Sequence, residues 1–193
     1  EMQKEPIDRF YTRRTLISTV RRQDAFALWA YYNRNSDHLQ PFEPRRSQGY
    51  HTQRGWRRRT RDMAAASESR QAWHLVARLR EQDDIIAICN FNNVIGGIFQ
   101  ACYLGYSIDA EHQGQGLMQE VVGAATEMAF GRLNLHRIMA NYMPENERSG
   151  RLLARLGFEQ EGVARSYLCI NGVWRDHILT SKLNPEHMGG SKP

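Results

Sequence analysis

The stretch Glu111-His112-Gln113-Gly114-Gln115-Gly116-Leu117-Met118 constrains this chain more than any other. It follows an alternating apolar run, Ala101 to Ile108, and opens an amphipathic run that continues to about Leu133. A strand, a glycine-rich turn and a helix in that order leave the first amide groups of the helix without intrahelical acceptors. Those N–H groups point one way, and the helix dipole adds partial positive charge there, so a phosphate or pyrophosphate is the natural occupant. Two glycines let the backbone approach such a ligand more closely than a Cβ would allow. A tight turn feeding a core helix is the competing reading of these residues alone. A P-loop would need Lys and then Ser or Thr where Leu117-Met118 stands, and a dinucleotide fingerprint would need a third glycine at Gln119.

A second stretch, Asn141 to Phe158, reads as a strand end, a short connection, a helix and a glycine stop. Pro144 stands where a helix can begin, and Gly157 where a left-handed cap is wanted. Asn146 and Ser149 are three apart and share a face of the first turn, with Leu152, Leu153 and Leu156 directed at a core. An amide and a hydroxyl thus project beside the end of the preceding strand. The alternative, Asn146 as a plain helix cap with Ser149 solvated, stays open.

On these two stretches the chain resembles the GNAT superfamily of acetyl-CoA-dependent N-acetyltransferases. Within it the chain is similar to the RimJ-type enzymes that acetylate the N-terminal alanine of a ribosomal protein. Further segments carry that likeness: Leu39 to Pro44, Ala101 to Ile108, His136 to Pro144 and Asn171 to His177. The likeness runs from about Arg13 to Leu183, and it implies one mixed α/β (α+β) domain over 13–183. Residues 1–12 are then an N-terminal extension and 184–193 a flexible tail. It further implies a central twisted mixed sheet of about seven strands flanked by about four helices. Two parallel strands, Ala101-Ile108 and Arg137-Met143, would part at their C-terminal ends to admit acetyl-CoA.

The cofactor contacts so implied are Tyr106, Ser107, Ile108, Gln113, Gly114, Gln115, Gly116, Leu117, Met118, Asn146 and Ser149. A backbone N–H near Tyr106 or Ser107 would face the oxyanion, Ser149 would serve the leaving sulfur, and Asn146 would hold a pantetheine amide. Glu43, between Pro41 and Pro44, is the leading candidate for base or amine binder, ahead of Glu161 and Asp176. Tyr106 is placed at the acceptor entrance, although burial of a strand tyrosine explains it equally well. The sequence departs from the family pattern at Glu111, before the loop; at Phe42, near the acceptor; and at Gly123, inside the following helix. Glu111 should therefore point away from a pyrophosphate or pair with a base. An enzyme acting on a small amine or another protein is the second reading, and a ribosome- or RNA-associated factor the third.

Charge supports the last of these. Seven arginines lie between Arg45 and Arg61 with no acidic residue among them, leaving 19 Lys and Arg elsewhere against 21 Asp and Glu. Tyr50 and Trp56 are interleaved with them. A docking patch for RNA or an acidic surface, and a merely solvated helix face, are both compatible with that pattern. Cys89, Cys102 and Cys169 sit in apolar runs and are expected to be buried thiols, and the seven histidines show no ligand spacing, so no metal is expected. No stretch has the ~18 apolar residues of a membrane span. The opening Glu1 to Pro6 lacks the apolar run of a signal peptide, which sets the expectation of a cytoplasmic protein. Asp24 is expected to cap a helix through Tyr32 that buries Phe26, Leu28 and Trp29. A second helix is expected over about Gly49 to Arg70, and Asn171-Gly172 should turn a hairpin.

Overall fold

The computed structural model describes residues 9–187. Eight strands form one sheet: β1 (Arg9–Tyr11), β2 (Thr15–Thr19), β3 (Trp73–Leu79), β4 (Ile85–Ile95), β5 (Ala101–Ile108), β6 (Arg137–Tyr142), β7 (Glu159–Ile170) and β8 (Val173–Leu183). Five α-helices accompany them: α1 (Ala25–Arg34), α2 (Ser36–Leu39), α3 (Gln53–Glu68), α4 (Leu117–Leu133) and α5 (Glu147–Arg155). The spatial order is β1-β2-β3-β4-β5-β6-β8-β7, antiparallel except between β5 and β6. The sheet thus has one strand more than expected. The extra one is β1, a three-residue edge strand inside the stretch read as an extension, too short for an alternating pattern to reveal.

Both faces of the sheet are covered, as alternation along the central strands requires. On β3, Leu75 and Ala77 join one apolar cluster with Leu117, Val121, Val122 and Ala125 of α4 and Leu153 of α5. Val76, between them in sequence, joins the other with Leu28 and Tyr31 of α1 and Trp56 of α3. α3 owes its face to the four- and three-residue spacing of Trp56, Thr60, Met63 and Ser67, all turned inward. It begins at Gln53 rather than Gly49, because the Thr52 hydroxyl accepts the Gly55 amide at 3.0 Å and so fixes the first turn. Gly123, the helix-weakening residue of α4, has a packing reason: a Cβ there would lie 3.2 Å from Leu156, where α5 crosses closely.

Three further expectations are corrected. Asp24 precedes α1 but its side chain caps nothing there; it accepts from the Arg21 amide at 2.8 Å and pairs with Arg78 at 2.9 Å. Phe26 is 64% exposed, since positions 28 and 31, not 26, face the sheet. Cys169 is exposed, while Cys89 and Cys102 are buried. The Asn171-Gly172 turn forms as expected, both residues having positive φ (48° and 81°), the geometry of a tight hairpin. Of the tail, Asn184 is buried and donates to the Leu135 carbonyl at 3.0 Å, and Pro185–His187 form a 3-10 turn. Gly189 to Ser191 lie outside the described residues. Among the described residues no helix is long and apolar enough to cross a membrane.

Candidate active site

The parallel ladder between β5 and β6 pairs only Ala101 with Arg137, Cys102 with Ile138 and Tyr103 with Met139. Beyond that point β6 continues to Tyr142 against β8, and β5 continues to Ile108 against β4. The two strands therefore separate, and five residues of β5 have no strand partner on that side. Buried backbone polar groups need partners, so such a gap is a place for a ligand with amide-like groups of its own.

The gap opens into a cleft of about 760 Å³. Its floor is the glycine turn. Gly114 and Gly116 both have φ of 73°, the left-handed region, and Gly116 is the N-cap of α4. A Cβ at either position would meet no close neighbour, so backbone conformation and ligand access, not crowding, call for glycine there. Arg14 holds the turn from outside: its guanidinium donates to the Gln115 carbonyl at 2.9 Å and to Glu120 at 2.8 Å. Glu120 also accepts from the Thr12 hydroxyl and the Arg14 amide, bonds that together outweigh burial and hold its carboxyl below the usual range.

One wall is the start of α5. Asn146 caps that helix, its side-chain oxygen accepting the Ser149 amide at 3.3 Å. Gly150 lets the helix press on β6, since a Cβ there would lie 2.8 Å from the Tyr142 ring. Ser149 shares a short hydrogen bond with the Tyr106 hydroxyl, joining the wall to β5. Burial pushes the Tyr106 phenol up to about 12, more than its bond to Ser149 lowers it, so it keeps its proton at neutral pH. The opposite wall carries His38, Leu39 and Phe42. The His38 Nε2 lies 3.2 Å from the Ile108 carbonyl oxygen and 2.9 Å from the Gln113 side-chain amide. As an N–H it donates to the carbonyl; as a bare nitrogen it accepts from the amide.

Ten of the eleven expected contacts line this one cleft: Tyr106, Ser107, Ile108, Gln113, Gly114, Gly116, Leu117, Met118, Asn146 and Ser149. Gln115 is the exception. Its side chain turns back to the Glu111 carbonyl at 3.2 Å, away from the lining. The Ser107 hydroxyl is engaged on the far side of the strand, bonding Tyr31 at 2.8 Å. Glu111 is exposed and outside the lining, as its charge requires.

Glu43 lies next to Phe42 but not in the lining. Burial raises its carboxyl above the ordinary glutamate range despite the pull of Arg46 and Arg59. Its carbonyl accepts the Asn171 amide at 2.8 Å, tying the loop to the β7–β8 turn. The two weaker base candidates are committed elsewhere. Glu161 bonds Ser181 and Arg137, and Asp176 accepts the Ser166 amide at 2.8 Å. Sequence reasoning missed His38 and three exposed arginines of α5, Arg148, Arg151 and Arg155, that edge the cleft. Their three- and four-residue spacing beside a phosphate-type loop was the available signal. No group of His, Cys, Asp and Glu suited to a metal occurs among the described residues.

The acetyltransferase (GNAT) domain matches residues 14–159. The chain belongs to the GNAT acetyltransferase family. As a member of that family it is an acyltransferase, with the broken ladder, glycine turn and capped α5 as its cleft. It is 43% identical to the ribosomal protein uS5-alanine N-acetyltransferase of Escherichia coli K12 over 185 residues, 96% of this chain and 95% of the relative. A solved ribosomal-protein-S5-alanine acetyltransferase from Vibrio fischeri superposes with a TM-score of 0.89 at 38% identity, covering 96% of this chain and 99% of that one. Mycobacterium smegmatis RimJ, solved in complex with CoA-disulfide, gives 0.87 at 26% identity, covering 97% and 91%.

Proposed function

We propose that this chain transfers the acetyl group of acetyl-CoA to the α-amine of a protein that begins with alanine, a ribosomal protein of the uS5 class. The observation that carries the reading is the cleft in which the unpaired end of β5, the Gly114–Gly116 turn and the Tyr106–Ser149 pair face one another. The acceptor rests on the E. coli and Vibrio relatives, which match nearly end to end.

Each part of the cleft suits one part of the thioester. The amides from Gln113 to Met118 and the start of α4 suit the pyrophosphate, and the open β5 edge suits the pantetheine amides as an added strand would. Nothing with a Cβ fits the backbone of both glycines without strain.

Transfer is direct. A neutral amine attacks the thioester carbonyl, and a β5 amide near Tyr106 or Ser107 stabilises the developing oxyanion. Collapse forms the amide bond and expels the CoA thiolate. Ser149 donates a hydrogen bond or proton to that sulfur, the Tyr106 phenol resupplies Ser149, and solvent returns the proton to the phenol. The amine's surplus proton leaves through water towards Glu43. An α-amine is suited to such modest help, because its pKa of about 7.7–8.0 leaves roughly a fifth neutral near pH 7.2; a lysine amine near 10.4 would need far more.

The test is a thiol-release assay with acetyl-CoA and peptides beginning with alanine, read also by intact mass. A mass gain of about 42 Da, one acetyl group per peptide, should appear at the α-amine only. Faster turnover of spermidine or an aminoglycoside than of the peptide would overturn the acceptor assignment.

A further inference from the structure

The acetyl-transfer reading leaves the arginine segment without a task. Arg54, Arg57, Arg58 and Arg61 fall at i, i+3, i+4 and i+7 of α3, and all four are exposed. The opposite side of the helix carries the buried Trp56 and Thr60. A seven-residue interval spans about 10 Å of helix rise, so the four guanidinium groups form a row two turns long. None of them forms a salt bridge among the described residues.

The row borders a concave surface of about 600 Å³ whose other wall is the Ser47 to Thr52 loop. That wall is held rigidly. A Cβ at Gly55 would lie 2.5 Å from the Gly49 carbonyl, so the loop sits directly on the first turn of α3. The fifth arginine of α3, Arg59, has a different job. Its guanidinium lies 3.6 Å from the centroids of both Tyr50 and Trp56 and donates to the Tyr50 carbonyl at 2.6 Å. Arg46 stacks on Tyr50 at 4.5 Å. Arg46 and Arg59 thus anchor an aromatic edge while the four of the row are left to solvent.

We infer that the Arg54-Arg57-Arg58-Arg61 row of α3, with the Tyr50 edge, is a docking surface for the phosphate backbone of folded RNA. The whole chain uses arginine in preference to lysine, so the case rests on the spacing and placement of these four rather than on their residue type. A guanidinium presents a planar fork that matches phosphate oxygens two at a time. The positive end of α3 adds to the same potential. Away from this segment the chain carries slightly more acid than base, so its net positive charge is concentrated here. The Tyr50 ring is already stacked on Arg46 and Arg59, so it braces the wall, and the contacts offered to the RNA are guanidinium forks on phosphate. The surface adjoins the proposed acceptor side: Arg46 and Arg59 are the charges that act on Glu43. RNA held here would deliver an attached protein's N-terminus to the cleft, although the binding itself stands independently of acetyl transfer.

The full chain is titrated into a fluorescently labelled RNA hairpin and followed by anisotropy across ~50–200 mM salt. Wild-type affinity should fall steeply with salt. R54Q/R57Q/R58Q/R61Q should bind at least tenfold more weakly, with a salt slope smaller by about 3, as expected for four lost phosphate contacts. Thiol release on a free alanine peptide should be unchanged in that variant, which separates this result from a failure of the catalytic reading. Absence of salt-sensitive binding by the wild type overturns the inference whatever the variant does. So does equal affinity of variant and wild type, or a polyglutamate peptide that binds the wild type as tightly as the hairpin.

Discussion

At the scale of single residues, the Tyr106–Ser149 pair and Glu43 carry the chemistry proposed. Ser149→Ala should lower kcat by roughly 10²-fold, the order of a lost acid contribution, with the acetyl-CoA KM nearly unchanged. Tyr106→Phe should lower kcat less if the phenol acts only through Ser149; steady-state kinetics of both and of the double variant give the coupling. An S149A enzyme as fast as the parent would remove the serine from the mechanism. Glu43 makes a separate prediction about pH. Because burial raises its carboxyl, the folded chain holds that proton more tightly than the unfolded chain. Stability then falls as pH rises from the unfolded value, about 4.3, through the raised folded value. Glu43→Gln should therefore raise Tm at pH 7 and leave it unchanged well below pH 4, while slowing acetylation. A Tm difference independent of pH would show that the carboxylate carries no burial penalty. How much was readable at this scale follows from locality. Gly114 and Gly116 could be found because a strand–turn–helix junction needs left-handed residues at fixed positions. The contact between Tyr106 and Ser149 spans 43 residues, and no local pattern encodes it. Arg148, Arg151 and Arg155 escaped notice because exposed arginines on a short helix look the same whether or not a cleft lies beside them.

At the scale of elements, the β7–β8 turn has a role beyond reversing the chain. Its Asn171 amide donates to the Glu43 carbonyl, and Gly172 lies so close to Arg45 that a Cβ would sit 2.6 Å from the Arg45 Nε. The turn therefore fixes the loop that bears Phe42 and Glu43. Gly172→Val, strained by its φ of 81° as well as by Arg45, should raise the acceptor KM several-fold and spare that of acetyl-CoA. Equal effects on both substrates would mean general destabilisation instead. The hairpin itself was legible, because Asn-Gly between apolar runs specifies its turn type. Its contact with the 40s loop was not, being set by how the far edge of the sheet folds over. The same division applies to the helices. The inward spacing on α3 was readable, whereas Asp24 was misassigned because Arg78, distant in sequence, takes its carboxylate at 2.9 Å.

For the whole molecule, the parted strands link binding to stability. CoA at 100 times its Kd should stabilise the fold by ~2.7 kcal/mol, which for a chain of this size corresponds to a Tm rise of roughly 5–10 °C in scanning fluorimetry. Gly116→Val, which disturbs the turn, should abolish most of that rise. An unchanged rise would place the nucleotide elsewhere. The mixed sheet and its parallel pair were legible only through the family resemblance, because no local pattern says which distant strands pair; the strand count missed only β1, which has three residues.

The gap between β5 and β6 also has a cost between turnovers. An interior seam with unmatched amides is the kind of template to which a stray extended peptide can pair. A resident nucleotide would shield that seam, so the empty chain should aggregate sooner on heating than the CoA-bound one.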